Sequence, residues 1–256
     1  MRVEVLGCSG GIGGRRRTSA LRVDQDILLD CGTGVGDMSS EDLAGIRHVF
    51  LTHSHLDHVA CLPMLVDTLF AELTREPLTV YATGACIEIL QNHIFNWQIW
   101  PDFQTLPAPD SPVVRFQVME PGEVLSLRGR RIEMLPVVHT VPACGYRVQE
   151  EGGGAFAYSG DCTTNDGLWA ALNASDTLDL LVVECAFGDG EMDLARRAGH
   201  YCPQLLVEDL AKLGHDPRIC ITHLKPGEEA RVFAQLRERA PGRALVQLRG
   251  GEVFRV

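Results

Sequence analysis

Between residues 53 and 58 the chain reads His53-Ser54-His55-Leu56-Asp57-His58, three imidazoles and a carboxylate in one short run. The run follows an apolar stretch, Val49-Phe50-Leu51, that reads as a buried strand. In an extended or turning segment, residues i and i+2 face the same way, so His53 and His55 can grip one ion. Asp57 and His58 then turn toward a second. Imidazole and carboxylate donors suit zinc, manganese or iron, and no nearby cysteine argues for a structural thiolate site. The bland alternative is a polar loop of unrelated histidines. The HxHxDH spacing at a strand-to-helix junction speaks against it.

A site for two metals needs further ligands, and three stand at the ends of later apolar runs. His139 ends Met134 to Val138, Asp161 follows Ala155 to Ser159, and His223 follows Ile219 to Thr222. Taken singly, the two histidines would read as loop or core residues and the aspartate as a turn residue. Together with HxHxDH they complete a set of seven. His53, His55 and His139 fall to one metal, Asp57, His58 and His223 to the other, and Asp161 bridges.

The elements that must position these groups follow from the hydrophobic pattern. Strands are expected at Arg2 to Leu6, Ser19 to Val23, Ile27 to Asp30 and Val49 to Thr52, with a Gly-rich turn (Gly7 to Gly14) after the first. Ala60 to Glu72 has helical periodicity, with Leu62, Leu65, Val66, Leu69 and Phe70 on one side. A strand at Leu78 to Ala82 and a helix at Ala85 to Phe95 follow. In the second half, strands are expected near 131–138, 143–148, 154–159, 179–183, 218–222, 244–248 and 252–256, and helices at 203–213 and 228–239. Strands dominate both halves and helices follow them. This predicts one α/β domain over residues 1–256, with two sheets packed face to face and helices outside: an αββα four-layer sandwich.

Composition bounds the function. At 45% hydrophobic and 22% charged the chain is ordinary for a soluble globular protein. No apolar run approaches the roughly 20 residues of a membrane span, and the N-terminus MRVEVLGCSG lacks a signal-peptide layout. Nine scattered cysteines, never spaced as CxxC, suggest reduced buried thiols and a cytoplasmic location. The net charge of −11 lacks the pull of a polynucleotide binder.

LLDCGTG, HSHLDH, SGD and a late TH, in that order, resemble the metallo-β-lactamase fold superfamily of di-metal hydrolases over nearly the whole chain. VVHTVPACGYRV around the third histidine resembles the phosphodiesterase branch, which includes ribonuclease Z and the class II cyclic-nucleotide phosphodiesterases. ITHLKPGEE (221–229) and HIFNWQIWPDFQTLP (93–107) resemble the latter. Only Gln149 to Gly154 join GYRV to FAYSGD, which leaves no room for the long arm with which ribonuclease Z grips tRNA. The resemblance implies two divalent ions, with zinc expected and manganese or iron as alternatives. It implies hydrolysis of a 3′,5′-cyclic nucleotide, cAMP foremost, to the 5′-nucleotide by a metal-bridging hydroxide. The alternative is a ribonuclease Z-like nuclease acting on RNA 3′ ends. A small phosphodiester is therefore the expected partner, with no membrane, no nucleic acid, and a homodimer hinted by the family.

The resemblance also assigns acid–base roles. His200, before a helix that opens with Pro203, would lie beside the metals, contact the scissile phosphate and protonate the leaving oxygen. Glu184, at the end of the apolar run LLVVE, is costly to bury unless bonded. It would support proton transfer together with Asp57. The alternatives are an exposed helix-start histidine and a strand-end charge facing water. GCSGGIGG (7–14) lacks the Lys-Ser/Thr of a phosphate-binding P-loop and reads as a tight turn near the site. Arg15-Arg16-Arg17 could meet a phosphate or form a solvated turn. Trp97, Trp100 and Phe103 could stack on a base or pack in a lid or dimer contact.

Overall fold

The computed structural model describes residues 1–256. One sheet contains β1 (Arg2–Gly7), β2 (Ala20–Val23), β3 (Ile27–Leu29), β4 (His48–Phe50), β5 (Leu78–Ala82) and β6 (Val114–Val118), adjacent in that order. The other contains β7 (Val124–Leu127), β8 (Arg130–Pro136), β9 (Cys144–Glu150), β10 (Ala155–Tyr158), β11 (Leu180–Glu184), β12 (Arg218–Thr222) and β13 (Leu245–Gln247). The last strand, β14 (Val253–Arg255), returns to the first sheet beside β1. β3 to β6 run parallel to one another, as do β10 to β13.

Helices α1 (Ser40–Gly45), α2 (Leu56–Val59), α3 (Leu62–Thr68), α4 (Phe70–Leu73) and α5 (Gly84–His93) cover the outer face of the first sheet. Helices α6 (Gly167–Asn173), α7 (Met192–Arg197), α8 (Pro203–Leu210) and α9 (Glu229–Arg239) cover the second. The layering is the expected αββα sandwich.

Strand pleat explains the layers. Ile27 and Leu29 point between the sheets and Leu28 points out toward the helices. Leu180 and Val182 likewise face inward while Leu181 and Val183 face α6 to α9. Strands buried on both faces read as continuous apolar runs, as parallel strands under helices must. Each of these side chains, at 0–2% exposure, contributes about 1.5–3 kcal/mol by leaving water.

The helix expected over Ala60 to Glu72 is three short ones. Pro63 sits in the first turn of α3, where its ring excludes the carbonyl of a preceding turn. The Cys61 N–H bonds the Cys31 carbonyl at 2.9 Å instead of extending α2. α2 consequently starts at Leu56 and carries Asp57 and His58 on its single turn. β6, β7, α1, α6 and α7 were not among the expected elements. β6 and β7 are sheet edges with mostly polar or half-exposed residues, so neither shows a strong apolar period. All nine cysteines are free and buried. Phe103 is buried and Trp100 packs against the outer core of the first sheet, whereas Trp97 is 63% exposed.

Candidate metal centre

The seven ligand candidates converge where the parallel strands of both sheets end. His53 and His55 follow β4, His139 follows β8, Asp161 follows β10 and His223 follows β12. Side chains leaving neighbouring parallel strands at their C-terminal ends share one crevice. Ligand atoms of His53, His55, His139 and Asp161 lie within 4.8 Å of one another, and so do those of Asp57, His58, Asp161 and His223. Asp161 belongs to both groups. It is 3.7 Å from His53 Nε2, 3.3 Å from His58 Nε2 and 3.0 Å from His223 Nδ1.

Those three nitrogens are buried, and none is aligned to hydrogen-bond any protein atom. A buried polar atom without a partner costs free energy unless a ligand satisfies it. Divalent cations satisfy this requirement, and the all-nitrogen-and-oxygen donor set fits them. Protonation preferences point the same way. Burial is the main influence holding His53, His55, His139 and His223 below the ordinary imidazole range, in the neutral form that carries a ligand lone pair. His58 differs: burial opposes its charge, but Asp161 and Asp30 flank it and hold it well above that range. Asp161, despite burial, is held well below the carboxylate range by His223 and His58. The pocket's carboxylates thus demand positive charge at its centre.

A second layer of partners orients the first. Asp30 is fully buried in a left-handed backbone conformation (φ 60°). Its Oδ2 is 2.6 Å from His58 Nδ1 and accepts from the Tyr158 hydroxyl at 2.9 Å. Its Oδ1 accepts from the Thr52 backbone N–H at 2.8 Å, and the Thr52 hydroxyl reaches both oxygens. His139 Nδ1 donates to the Gly199 carbonyl at 2.8 Å, which leaves its Nε2 toward the crevice. Such outer partners fix the tautomer and the ring angle of a metal-binding imidazole. His223 also has left-handed backbone (φ 59°). Strained backbone of this kind persists where the surroundings over-determine it.

His200 and Glu184 are both buried beside this cluster. His200 Nδ1 bonds Glu184 Oε1 at 2.7 Å, and the His200 ring centre is 4.9 Å from that of His139 and 5.1 Å from that of His223. Glu184 also accepts backbone N–H groups of Cys162, Ala186 and Tyr201. Burial opposes a charge on His200, but Glu184 outweighs it and raises the imidazole above its ordinary range. The structure thus pairs Glu184 with His200 by a direct hydrogen bond. The solvent-facing reading of Glu184 is excluded by its 0% exposure.

Asp30, Thr52, Tyr158 and Lys225 were not singled out from sequence. The LLDCGTG and THLKP stretches contain two of them and were the available signal. Lys225 Nζ is 3.4 Å from His223 Nε2 and 3.3 Å from the Gly10 carbonyl, and stands 5.8 Å from the centre of the Phe187 ring. It is one of only two lysines in the chain.

Comparison with known proteins agrees with this geometry. Residues 25–240 match the family described as Beta-lactamase superfamily domain, and the chain belongs to that family. It is 28% identical over 204 residues to a probable 3′,5′-cyclic-nucleotide phosphodiesterase of Yersinia pestis, covering 71% of this chain and 57% of the relative. It is 32% identical over 158 residues to a ribonuclease Z of Halorubrum lacusprofundi, covering 59% and 48%. The chain thus spans about half the length of these curated relatives. Among solved structures, the metallo-beta-lactamase fold protein YhfI from Bacillus subtilis superposes with a TM-score of 0.78 at 22% identity, covering 99% of this chain and 98% of that one. Unliganded yeast PDE1 superposes at 0.82 with 18% identity, covering 98% of each.

Proposed function

We propose that this member of the β-lactamase superfamily is a metal-dependent hydrolase of phosphodiester bonds whose substrate is a 3′,5′-cyclic nucleotide. The observation that carries the reading is the pair of four-residue ligand groups sharing Asp161, with the buried His200–Glu184 couple against them. His53, His55 and His139 would hold one divalent ion, Asp57, His58 and His223 the other, and Asp161 both. Bound there, such ions supply an activated water and neutralise charge on phosphoryl oxygens.

The chain's own side chains do the rest. Water adds to phosphorus, the P–O3′ bond breaks, and the departing 3′-oxygen takes a proton. Glu184 fixes the Nδ1 edge of His200, so Nε2 is the atom left to deliver that proton. The Lys225 ammonium, steadied by the Gly10 carbonyl and the Phe187 ring, meets the phosphate's negative charge.

Three features support a small cyclic diester over an RNA 3′ end. The link between β9 and β10 is only residues 151–154, too short for an arm that grips tRNA. The net charge is −11, which disfavours a polyanion. A relative named as a cyclic-nucleotide phosphodiesterase matches 71% of the chain. The second reading, a ribonuclease Z-like nuclease, draws on the relatives of that name. Product identification separates them. Metal-loaded protein is incubated with cAMP, 2′,3′-cyclic AMP, bis(p-nitrophenyl) phosphate and a 3′-extended tRNA. Release of 5′-AMP from cAMP is the expected result. Cleavage of the tRNA or the generic diester with cAMP untouched would discard the cyclic-nucleotide substrate and keep the hydrolase.

A further inference from the structure

A cleft of about 900 Å³ lies next to the metal centre. Five arginines line it: Arg15, Arg16, Arg17, Arg22 and Arg249. In a chain of net charge −11 this is a local concentration of guanidinium groups, set among four carboxylates, Glu4, Asp37, Asp42 and Glu229. Carboxylates hold three of the five in place. Arg16 pairs with Glu229 at 2.5 Å, Arg17 with Asp37 at 2.7 Å, and Arg22 with Glu4 at 2.8 Å and Asp42 at 2.7 Å.

These pairs anchor the guanidinium groups without exhausting them, because each has five N–H donors. Arg22 is only 8% exposed and its Nε has no partner. The buried Ser9 hydroxyl, in the same wall, has none either. Arg15 and Arg249 stand exposed at the rim outside the ion pairs. Five guanidinium groups face four carboxylates, with two buried donors and two rim cations uncommitted.

The cavity and the metal centre share a wall. The Ser9 segment bridges Leu224, the Gly10 N–H bonds the Leu224 carbonyl at 3.0 Å, and the His223 N–H bonds the Cys8 carbonyl at 2.8 Å. A Cβ on Gly10 would stand 2.6 Å from the His223 carbonyl oxygen, so only glycine permits this approach. Residues 8–10 therefore lie against His223 and Leu224, and Cys8 and Ser9 also line the cavity.

We propose that this cavity is a second anion site, separate from the metal centre, that takes the phosphate group of a nucleotide. Planar guanidinium forks match phosphate oxygens in bidentate fashion, and Arg22 and Ser9 in the wall each keep a buried polar atom without a partner. The volume lies within the range of sites that enclose a small organic molecule. The phosphate could be carried by a free mononucleotide or by an RNA strand, whose chemistry at this site is the same. The proposal does not depend on which diester the metal centre cuts.

The test uses the metal-loaded full chain in two forms, wild type and the double variant Arg15→Glu/Arg249→Glu. Neither arginine supports another element, so the fold is expected to persist, and thermal melting checks it. Binding of inorganic phosphate, 5′-AMP and a short single-stranded RNA is measured by equilibrium dialysis. Hydrogen exchange of residues 7–17 and 247–251 locates the ligand. Protection of those segments, weakened at least tenfold in apparent affinity by the double variant, is the expected result. Hydrolysis of bis(p-nitrophenyl) phosphate should be unchanged. Tighter binding of 5′-AMP than RNA assigns the site to a free nucleotide, and the reverse assigns it to a strand. Equal binding by both forms, or no protection with any of the three probes, would overturn the proposal. Loss of diester hydrolysis in a folded double variant would also overturn it, by making the cavity part of the metal centre.

Discussion

Asp30 is the residue whose substitution best tests how the second layer of partners works. Replacing it with asparagine keeps the shape and exchanges one acceptor oxygen for an NH2 group. Placed at the Oδ1 position, that NH2 faces the Thr52 backbone N–H, which can only donate. An orphaned buried donor of this kind costs about 1–3 kcal/mol, a large share of the roughly 5–15 kcal/mol that holds a domain together. Placed at Oδ2, the NH2 faces His58 Nδ1. His58 must then accept at Nδ1 and carry its proton on Nε2, the atom 3.3 Å from Asp161. That proton occupies the lone pair needed for a metal. Loss of an outer-layer partner typically costs about 10- to 100-fold in metal affinity, or roughly 1.4–2.8 kcal/mol. One of the two penalties is unavoidable. Urea denaturation of the metal-free protein reads the first, and competition with a chromophoric chelator reads the second. Asp30→Asn is expected to lower metal-free stability by at least about 1 kcal/mol or metal affinity by at least about tenfold. A variant that matches wild type in both would refute the argument that Asp30 fixes the His58 tautomer.

Three further outcomes are expected. Asp161→Ala removes the carboxylate common to both ligand groups, so bound metal should fall from two ions per chain and diester hydrolysis should drop by orders of magnitude. Full activity with one ion per chain, measured by elemental analysis, contradicts the two-ion reading. His200→Ala should lower turnover about 10²- to 10⁴-fold, the usual worth of a general acid, with metal content unchanged; collapse of metal content would make His200 a ligand instead. Burial opposes charge on Asp26, but Arg130, in contact at 2.7 Å, outweighs it and holds the carboxyl below its ordinary range. A depressed folded-state pKa gives stability that is present above the unfolded value of about 3.9 and lost as pH falls through the folded value. The stability gap between wild type and Asp26→Asn, from denaturant titrations, should therefore be full near pH 6 and shrink below about pH 4. A gap that grows on acidification contradicts the sign.

Some of this molecule is written locally in the chain. His53, His55, Asp57 and His58 lie on one strand end and one helical turn, so spacing alone brings them together. Continuous apolar runs such as Leu180 to Val183 mark strands covered on both faces, which in turn demands helices outside two sheets. His139, Asp161 and His223 are legible because each follows an apolar strand, β8, β10 and β12, and these strands end at one crevice. Edge strands such as β6 carry no such signal, since one side of an edge needs no apolar partner.

Other features exist only because distant segments meet. Glu184 and His200 are joined by a 2.7 Å bond across a turn and a helix, and nothing in the local pattern of either names the other. Asp30, just past β3, reaches His58 on α2, Thr52 after β4 and Tyr158 at the end of β10. The arginine-lined cavity gathers residues from near the two ends of the chain, Arg15 and Arg249 among them. Periodicity reports which face of an element is buried. It does not report which buried donor meets which acceptor, because that depends on the register and packing of whole sheets.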